Sequence, residues 1–199
     1  MTGRDLKLHI LYGVPCVGKS TTAIALAHGA GIRTVVQTDY LREVQRLYVA
    51  QDDVPALRKV THSAWELYGP PTRHNIVRGF VAHVEAVAPA VGTVVAKLTS
   101  DGLDAVIEGA HFYGPVIRDL QQANRGANIR ATLLVTRTAN ELRCRITRKM
   151  DARADGAVDK LWRTRLPILL AIQRFLIADA RTYGIPVRTA YEWRDRVAL

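Results

Sequence analysis

Residues 13 to 20, Gly-Val-Pro-Cys-Val-Gly-Lys-Ser, set two glycines, a lysine and a hydroxyl at the spacing that phosphate binding requires. In a Gly-x-x-x-x-Gly-Lys-Ser loop the backbone N–H groups wrap a phosphate, and the helix that follows aims its N-terminus at it. Gly13 and Gly18 let the loop turn tightly and bring backbone close to phosphate. Lys19 supplies a positive charge to the β- and γ-phosphates, and the Ser20 hydroxyl is the expected magnesium ligand. The run Gly13, Val14, Pro15, Cys16, Val17, Gly18, Lys19, Ser20 and Thr21 therefore reads as a cradle for ATP and magnesium. A chance match is the alternative, and the strand before Gly13 and helix after Ser20 argue against it. No Asn-Lys-x-Asp guanine signature occurs.

The same cradle serves motors, switches and kinases, so the residues opposite it decide the reaction. Asp39 follows the second predicted strand, at the sheet end where α/β folds bind ligands, and Arg42 comes one helical turn later. A carboxylate there orients an acceptor hydroxyl and takes its proton, while the arginine holds an anionic acceptor group or the transferring phosphate. Asp39 also reads as a helix N-cap before Tyr-Leu-Arg-Glu, and the two roles can coexist. Glu108 ends the third predicted strand, where an acidic residue commonly completes the magnesium shell; it could equally hold an acceptor hydroxyl. His111 lies within reach of the same point, although a lone loop histidine is more often structural. Arg145, Arg148 and Lys149 fall one turn apart on one helix face. There they could neutralise charge on the γ-phosphoryl oxygens, or form a solvated basic face. The expected catalytic set is Lys19, Asp39, Arg145 and Arg148, with Arg145 also on the nucleotide. Asp39, Arg42, Glu108 and His111 form the expected acceptor set, and Ser20 and Glu108 the metal set.

The elements that must position these residues are legible as apolar patterns. Strands are expected at 7–12, 33–38, 104–108, 130–135 and 184–189, rich in the β-branched and aliphatic residues of buried parallel strands. Helices are expected at 21–28 and 40–49, then from 139 to about 153 and onward through Asp155-Gly156 to Tyr183. Residues 44 to 100 read as a helical acceptor insert broken at Pro55, at Gly69-Pro-Pro71 and at Pro89. Residues 139 to 160 read as a helical lid. Alternating strands and helices make a five-stranded parallel α/β sheet flanked by helices, the P-loop NTPase fold, the economical solution.

At 199 residues the chain suits a single domain spanning 1–199. A hydrophobic share of 48% with 23% charged residues excludes the disordered class, and the absence of a long uninterrupted apolar run points away from a membrane and to the cytoplasm. Cys16 and Cys144 are read as free thiols. The formal charge of +10 attracts polyanions, meaning nucleic acid or, equally, ATP with an anionic acceptor. Arginine supplies 22 of the 28 cations, which is also what compositional drift would produce. Oligomeric state is left open.

Taken together these segments resemble the 2-phosphoglycerate kinase family. The resemblance rests on residues 13–20 and on Gly31-Ile-Arg-Thr-Val-Val-Gln-Thr-Asp-Tyr-Leu-Arg-Glu43. It continues in Ser63-Ala-Trp65, Val106-Ile-Glu-Gly-Ala-His111, Ile172-Gln-Arg-Phe-Leu176 and Gly184-Ile-Pro186. It implies ATP-dependent phosphorylation of a hydroxyl on a small anionic metabolite or natural product. The Glu141-Leu142 and Arg145-Ile146 pairs also resemble the start of the adenylate kinase lid. Thr38-Asp39-Tyr40-Leu41-Arg42 is similar to the matching segment of polynucleotide 5′-hydroxyl kinases, which makes RNA or DNA ends the alternative acceptor. Aromatic residues at 7%, with no tract that interleaves them with arginine, weaken that alternative.

Overall fold

The computed structural model describes residues 6–50, 52–151 and 165–192. Its sheet is built from β1 (Leu6–Tyr12), β2 (Thr34–Gln37), β3 (Ala105–Gly109), β4 (Ala127–Val135) and β5 (Val187–Thr189). All paired neighbours run parallel, in the order β2-β3-β1-β4-β5. All five strands were expected. The main boundary differences are that β2 stops at Gln37, that β4 starts three residues earlier, and that β5 is reduced to three residues.

The near-continuous apolar runs of β1 and β3 reflect cover on both faces of the sheet. On one face lies α1 (Lys19–Gly29), where Leu11, Ala23, Leu26, Ala27, Ile32 and Val106 form a small core. The larger core on the other face packs β1, β3 and β4 against α4 (Arg73–Ser100), α5 (Gly114–Ala123) and α7 (Leu166–Thr182). Between β2 and α4 come α2 (Thr38–Tyr48), α3 (Pro55–Arg58) and a short 3-10 turn at Ala64–Leu67. The helix α6 (Ala139–Asp151) follows β4. It is the described part of the expected lid; residues 152–160 and the helix start after Gly156 lie outside the described residues.

The insert is helical as expected, but Pro89 does not break it. Helix α4 runs 28 residues straight through that proline. Ile76, Phe80, Val84, Val87, Val91, Val95 and Leu98 recur every three or four positions and bury one continuous stripe. Pro89 is on the exposed side, so the carbonyl left without its N–H partner is open to solvent and the helix tolerates it. By length and composition α4 is also apolar enough to cross a bilayer, but its apolar stripe belongs to the core of the fold.

Near its start α4 presses against the 3-10 turn without a side chain between them. A Cβ at Gly79 would stand 2.4 Å from Trp65 N and 2.5 Å from Ala64 C. Alanine in a helix interior is worth about 1 kcal/mol over glycine, whereas overpacking against backbone costs about 1–3 kcal/mol or more. Gly79→Ala is therefore expected to lower stability in urea denaturation by about 2 kcal/mol or more; a gain in stability would show that the insert is loosely held.

Candidate active site

The loop between β1 and α1 has the conformation its sequence demands. Gly13, Cys16 and Gly18 all have positive φ, at 148°, 69° and 101°. Alternation of this kind turns successive N–H groups toward one concavity. Gly13 has no room for a side chain, since a Cβ there would lie 2.3 Å from the Leu134 carbonyl oxygen. Cys16 is the one described non-glycine residue with positive φ, and such outliers concentrate at ligand clamps. Cys16 and Cys144 form no disulfide.

Lys19 Nζ donates to the Val14 carbonyl at 3.1 Å. Burial lowers its pKa, and the negative charges of Glu108 and Asp39 oppose that shift. Ser20 Oγ donates to Glu108 Oε1 at 2.7 Å. Glu108 is 5% exposed, so the hydrogen bond joins the head of α1 to a buried carboxylate at the end of β3. Two hydroxyl and carboxylate oxygens at this point suit magnesium, which takes oxygen ligands, keeps several waters and completes its shell from phosphate. No cluster of three histidine, cysteine, aspartate or glutamate side chains occurs among the described residues.

Across β3 the acceptor side takes a different form from the expected one. Helix α2 begins at Thr38, with Gln37 as its N-cap and no side-chain cap. Asp39 is therefore inside the first turn and does not cap the helix; its carboxylate is 77% exposed and stands 3.8 Å from His111 Nε2. Arg42 is buried, and its Nη1 donates to the carbonyls of Lys59 at 2.7 Å and Leu57 at 3.3 Å, while Nη2 pairs with Glu43. The structure thus gives Arg42 a clamping role on the insert backbone in place of the expected grip on an acceptor anion. Arg58 does likewise, donating to the carbonyls of Arg46 and Val49.

His111 is not a lone histidine. Its Nδ1 lies 2.7 Å from Thr38 Oγ1, and its Nε2 lies 3.1 Å from Nε2 of His83, whose Nδ1 is 2.9 Å from the Ala56 carbonyl. Both rings are buried. Burial holds both pKa values down, that of His83 to about 4 and that of His111 well below its usual value. A carbonyl can only accept, so His83 Nδ1 carries the proton. His83 Nε2 then accepts from His111 Nε2–H, and His111 Nδ1 accepts from the Thr38 hydroxyl. These bonds tie the start of α2 and the loop after β3 to α4 and α3. Gly109 makes room for it, since a Cβ there would fall 1.7 Å from Thr38 Oγ1.

Sequence reasoning found His111 and missed His83. The signal was a histidine set between Phe80 and Val84 on the buried stripe of α4.

On the far side of the loop Arg145 of α6 pairs with Glu141 and donates to the Val17 carbonyl at 3.3 Å, with its guanidinium 5.0 Å above the Tyr191 ring. Arg148 is exposed and makes no ion pair with another described residue. The cation of α6 whose charge reaches Lys19 is Lys149. The structure therefore brings together Lys19, Ser20, Asp39, Glu108, His111 and Arg145, and leaves Arg148 apart from them; the charge of Arg42 reaches His111 and His83 while its N–H groups hold the insert backbone.

The chain is 36% identical over 189 residues to a 2-phosphoglycerate kinase of Pyrococcus furiosus, a match covering 92% of this chain and 60% of that protein. It is 28% identical over 118 residues to mevalonate-3-phosphate 5-kinase of Thermoplasma acidophilum, covering 59% of this chain and 57% of that one. The chain thus spans about three fifths of the length of the curated relatives it matches. A sugar kinase from Janibacter sp. HTCC2649 superposes with a TM-score of 0.54 at 13% identity, covering 96% of this chain and 91% of its own. The fold is that of the P-loop kinases, and the sequence is related to the 2-phosphoglycerate kinases. No family model matches the chain.

The histidine chain has a measurable consequence. An unfolded histidine takes up a proton near pH 6.5, but His83 in the fold does so only near 4. Between those values the unfolded chain binds more protons, so stability falls as pH drops through the window, by about 3 kcal/mol for this one group. His83→Leu removes that share of the acid sensitivity. At pH 7 it costs about 1–3 kcal/mol, because the Ala56 carbonyl and the His111 N–H lose their partner. Urea denaturation of both proteins from pH 7 to 4.5 checks the two effects, and an unchanged pH slope in the variant would contradict the assignment.

Proposed function

We propose that this chain is an ATP-dependent phosphotransferase that moves the γ-phosphoryl group of ATP to a hydroxyl of a small phosphorylated or carboxylated acceptor. The observation that carries the reading is the meeting of two half-sites at Glu108. Ser20 of the phosphate loop bonds it from one side, and Asp39 lies in the first turn of the helix that follows its other neighbour, β2. Both named relatives are kinases whose stated substrates already carry a phosphate, which supports an anionic acceptor.

In this mechanism the loop N–H groups and Lys19 bind the β- and γ-phosphates. Ser20 and Glu108 are the residues that would hold magnesium, whose charge offsets that of the phosphates. Asp39, exposed toward the acceptor side and partnered only loosely by His111 at 3.8 Å, orients the acceptor hydroxyl and takes its proton. The bond from that oxygen to the γ-phosphorus forms as the bond to the β,γ-bridging oxygen breaks, and ADP leaves. Arg145, held at the loop by Glu141 and the Val17 carbonyl, places a fixed positive charge beside the transferring group. Arg42 acts at one remove by fixing the insert segment around Leu57 and Lys59.

The test is ADP release from ATP and magnesium with a panel of phosphorylated and carboxylated hydroxy acids, beginning with 2-phosphoglycerate. Lys19→Ala is expected to abolish acceptor-stimulated release. Asp39→Asn should lower transfer about 10²-fold or more, as loss of a general base does, while the Kd for ATP stays within about twofold of the parent. Equal loss of ATP binding and of transfer in Asp39→Asn would overturn the base assignment, and normal turnover in Lys19→Ala would overturn the cradle.

A further inference from the structure

A second cavity, of about 580 Å³, lies away from the phosphate loop, between α5 and the outer edge of β4. Strand β4 has nine residues and β5 only three, paired at Leu133, Leu134 and Val135. The stretch Ile129 to Thr132 therefore has β1 on one side and the cavity on the other. Pro186 explains why the ladder stops there. Its carbonyl accepts from Leu133 N–H at 2.9 Å, but it has no N–H to return to the carbonyl two residues earlier, that of Ala131. On the other side of the gap Gln121 Nε2 donates to the Ile129 carbonyl at 3.0 Å. Alternation along the strand then turns the N–H and C=O of Ala131 into the cavity. The opening is one residue long, too short for an added strand but suited to a small molecule.

The side chains around this opening are cationic. Arg118, Arg130 and Arg188 all line it, with His9, and no aspartate or glutamate does. The arginines are held in place by neutral groups. Arg118 lies 5.1 Å above the Tyr183 ring, Arg130 Nε donates to Asn128 Oδ1 at 3.3 Å, and Arg188 Nη1 donates to the Val187 carbonyl at 3.3 Å. Elsewhere Arg42, Arg46, Arg137, Arg145 and Arg165 each pair with a glutamate; these three have no such partner among the described residues. His9 is the register partner of Arg130 across β1 and β4. Burial, and then the charges of Arg130 and Lys7, hold its imidazole below the ordinary pKa against the opposing pull of Asp104.

We propose that this cavity is a second anion site, distinct from the nucleotide cradle, that takes a small polyanion such as a phosphorylated metabolite. Guanidinium groups match phosphate and carboxylate oxygens in their planar fork. The Ala131 N–H adds a backbone donor, and its carbonyl can accept from a ligand hydroxyl. A volume of this size is ordinary for a small-molecule site. The cavity residue Ala131 precedes Leu134, whose carbonyl abuts Gly13, by three positions, which is about 10 Å along a strand. The two sites therefore share β4 without overlapping, and a ligand in the second could bias the first through that strand.

The site does not depend on the kinase reading, and the experiment separates them. Pyrophosphate is titrated calorimetrically into full-length Lys19→Ala protein, in which the cradle is disabled. Binding at one site is expected. Arg130→Gln combined with Arg188→Gln should weaken it by roughly tenfold or more, as loss of charge-assisted hydrogen bonds does. Arg33→Gln combined with Arg174→Gln, which removes the same charge from exposed positions outside the cavity, should leave it within about twofold. If the cavity double variant fails to fold by circular dichroism, Arg188→Gln alone is expected to give a several-fold loss. No binding to the Lys19→Ala protein at millimolar pyrophosphate, or equal weakening by cavity and control variants, overturns the proposal.

Discussion

A carboxylate buried at the end of an inner strand must be met by a partner that stays in place, and the donor half of the site is arranged around that requirement at Glu108. Ser20 meets it from the head of α1 at 2.7 Å. Strand order does the rest. Strand β3 sits between β1 and β2, with Glu108 in register with Leu11 on one side and Gln37 on the other. The phosphate loop leaves β1 just beyond its partner position, and α2 leaves β2 at Thr38, immediately beyond its own. Donor and acceptor elements thus emerge two strand spacings apart, about 10 Å. That gap can hold a transferring phosphoryl group and its acceptor hydroxyl.

The acceptor half is held by a different kind of bond. Thr38, His111, His83 and Ala56 form a hydrogen-bonded series that runs from the sheet to the insert. Every member is buried and neutral, and the terminal carbonyl dictates the direction of each donation. Protonating His83 would turn its Nε2 from acceptor to donor and leave it facing the His111 N–H. The burial that suppresses protonation also keeps the series intact, so packing and polarity support the same geometry. Asp39 belongs to the same turn as Thr38 but remains outside this series, exposed and 3.8 Å from His111 Nε2.

Features set by local chemistry were legible in the sequence. Gly13, Gly18, Lys19 and Ser20 are fixed by backbone conformation and phosphate geometry, and β1 and β3 announce themselves as apolar runs because both faces are covered. Glu108 was legible as a candidate, although the reason for the glycine after it, contact with Thr38 Oγ1, requires the third dimension. Pro89 misled because a proline breaks a helix by default, and only its position on the solvent side of α4 shows why this one does not. Arg42 misled for a related reason. Its spacing from Asp39 fits an acceptor grip, but the carbonyls of Leu57 and Lys59 that occupy it lie 15 and 17 residues away and cannot be paired with it by periodicity. His83 went unnoticed because one polar residue on an apolar stripe has no partner in the sequence alone.

The excess of arginine becomes intelligible through the same contacts. Arg42 and Arg58 satisfy carbonyls at the irregular ends of α2 and α3, Arg165 bridges Glu66 and lies 5.5 Å over the Trp65 ring, and Arg78 lies 4.3 Å over Tyr68. An insert made of short helices and turns leaves backbone acceptors unpaired, and one planar guanidinium can reach two of them while its stem packs against apolar neighbours. Lysine, with a single point of charge, would satisfy fewer acceptors at each position. Part of the positive charge is therefore spent on holding the insert together, and a net charge of +10 does not by itself require a nucleic-acid partner. The arginines of the second cavity differ in their grouping: Arg118, Arg130 and Arg188 line one cavity that no aspartate or glutamate lines.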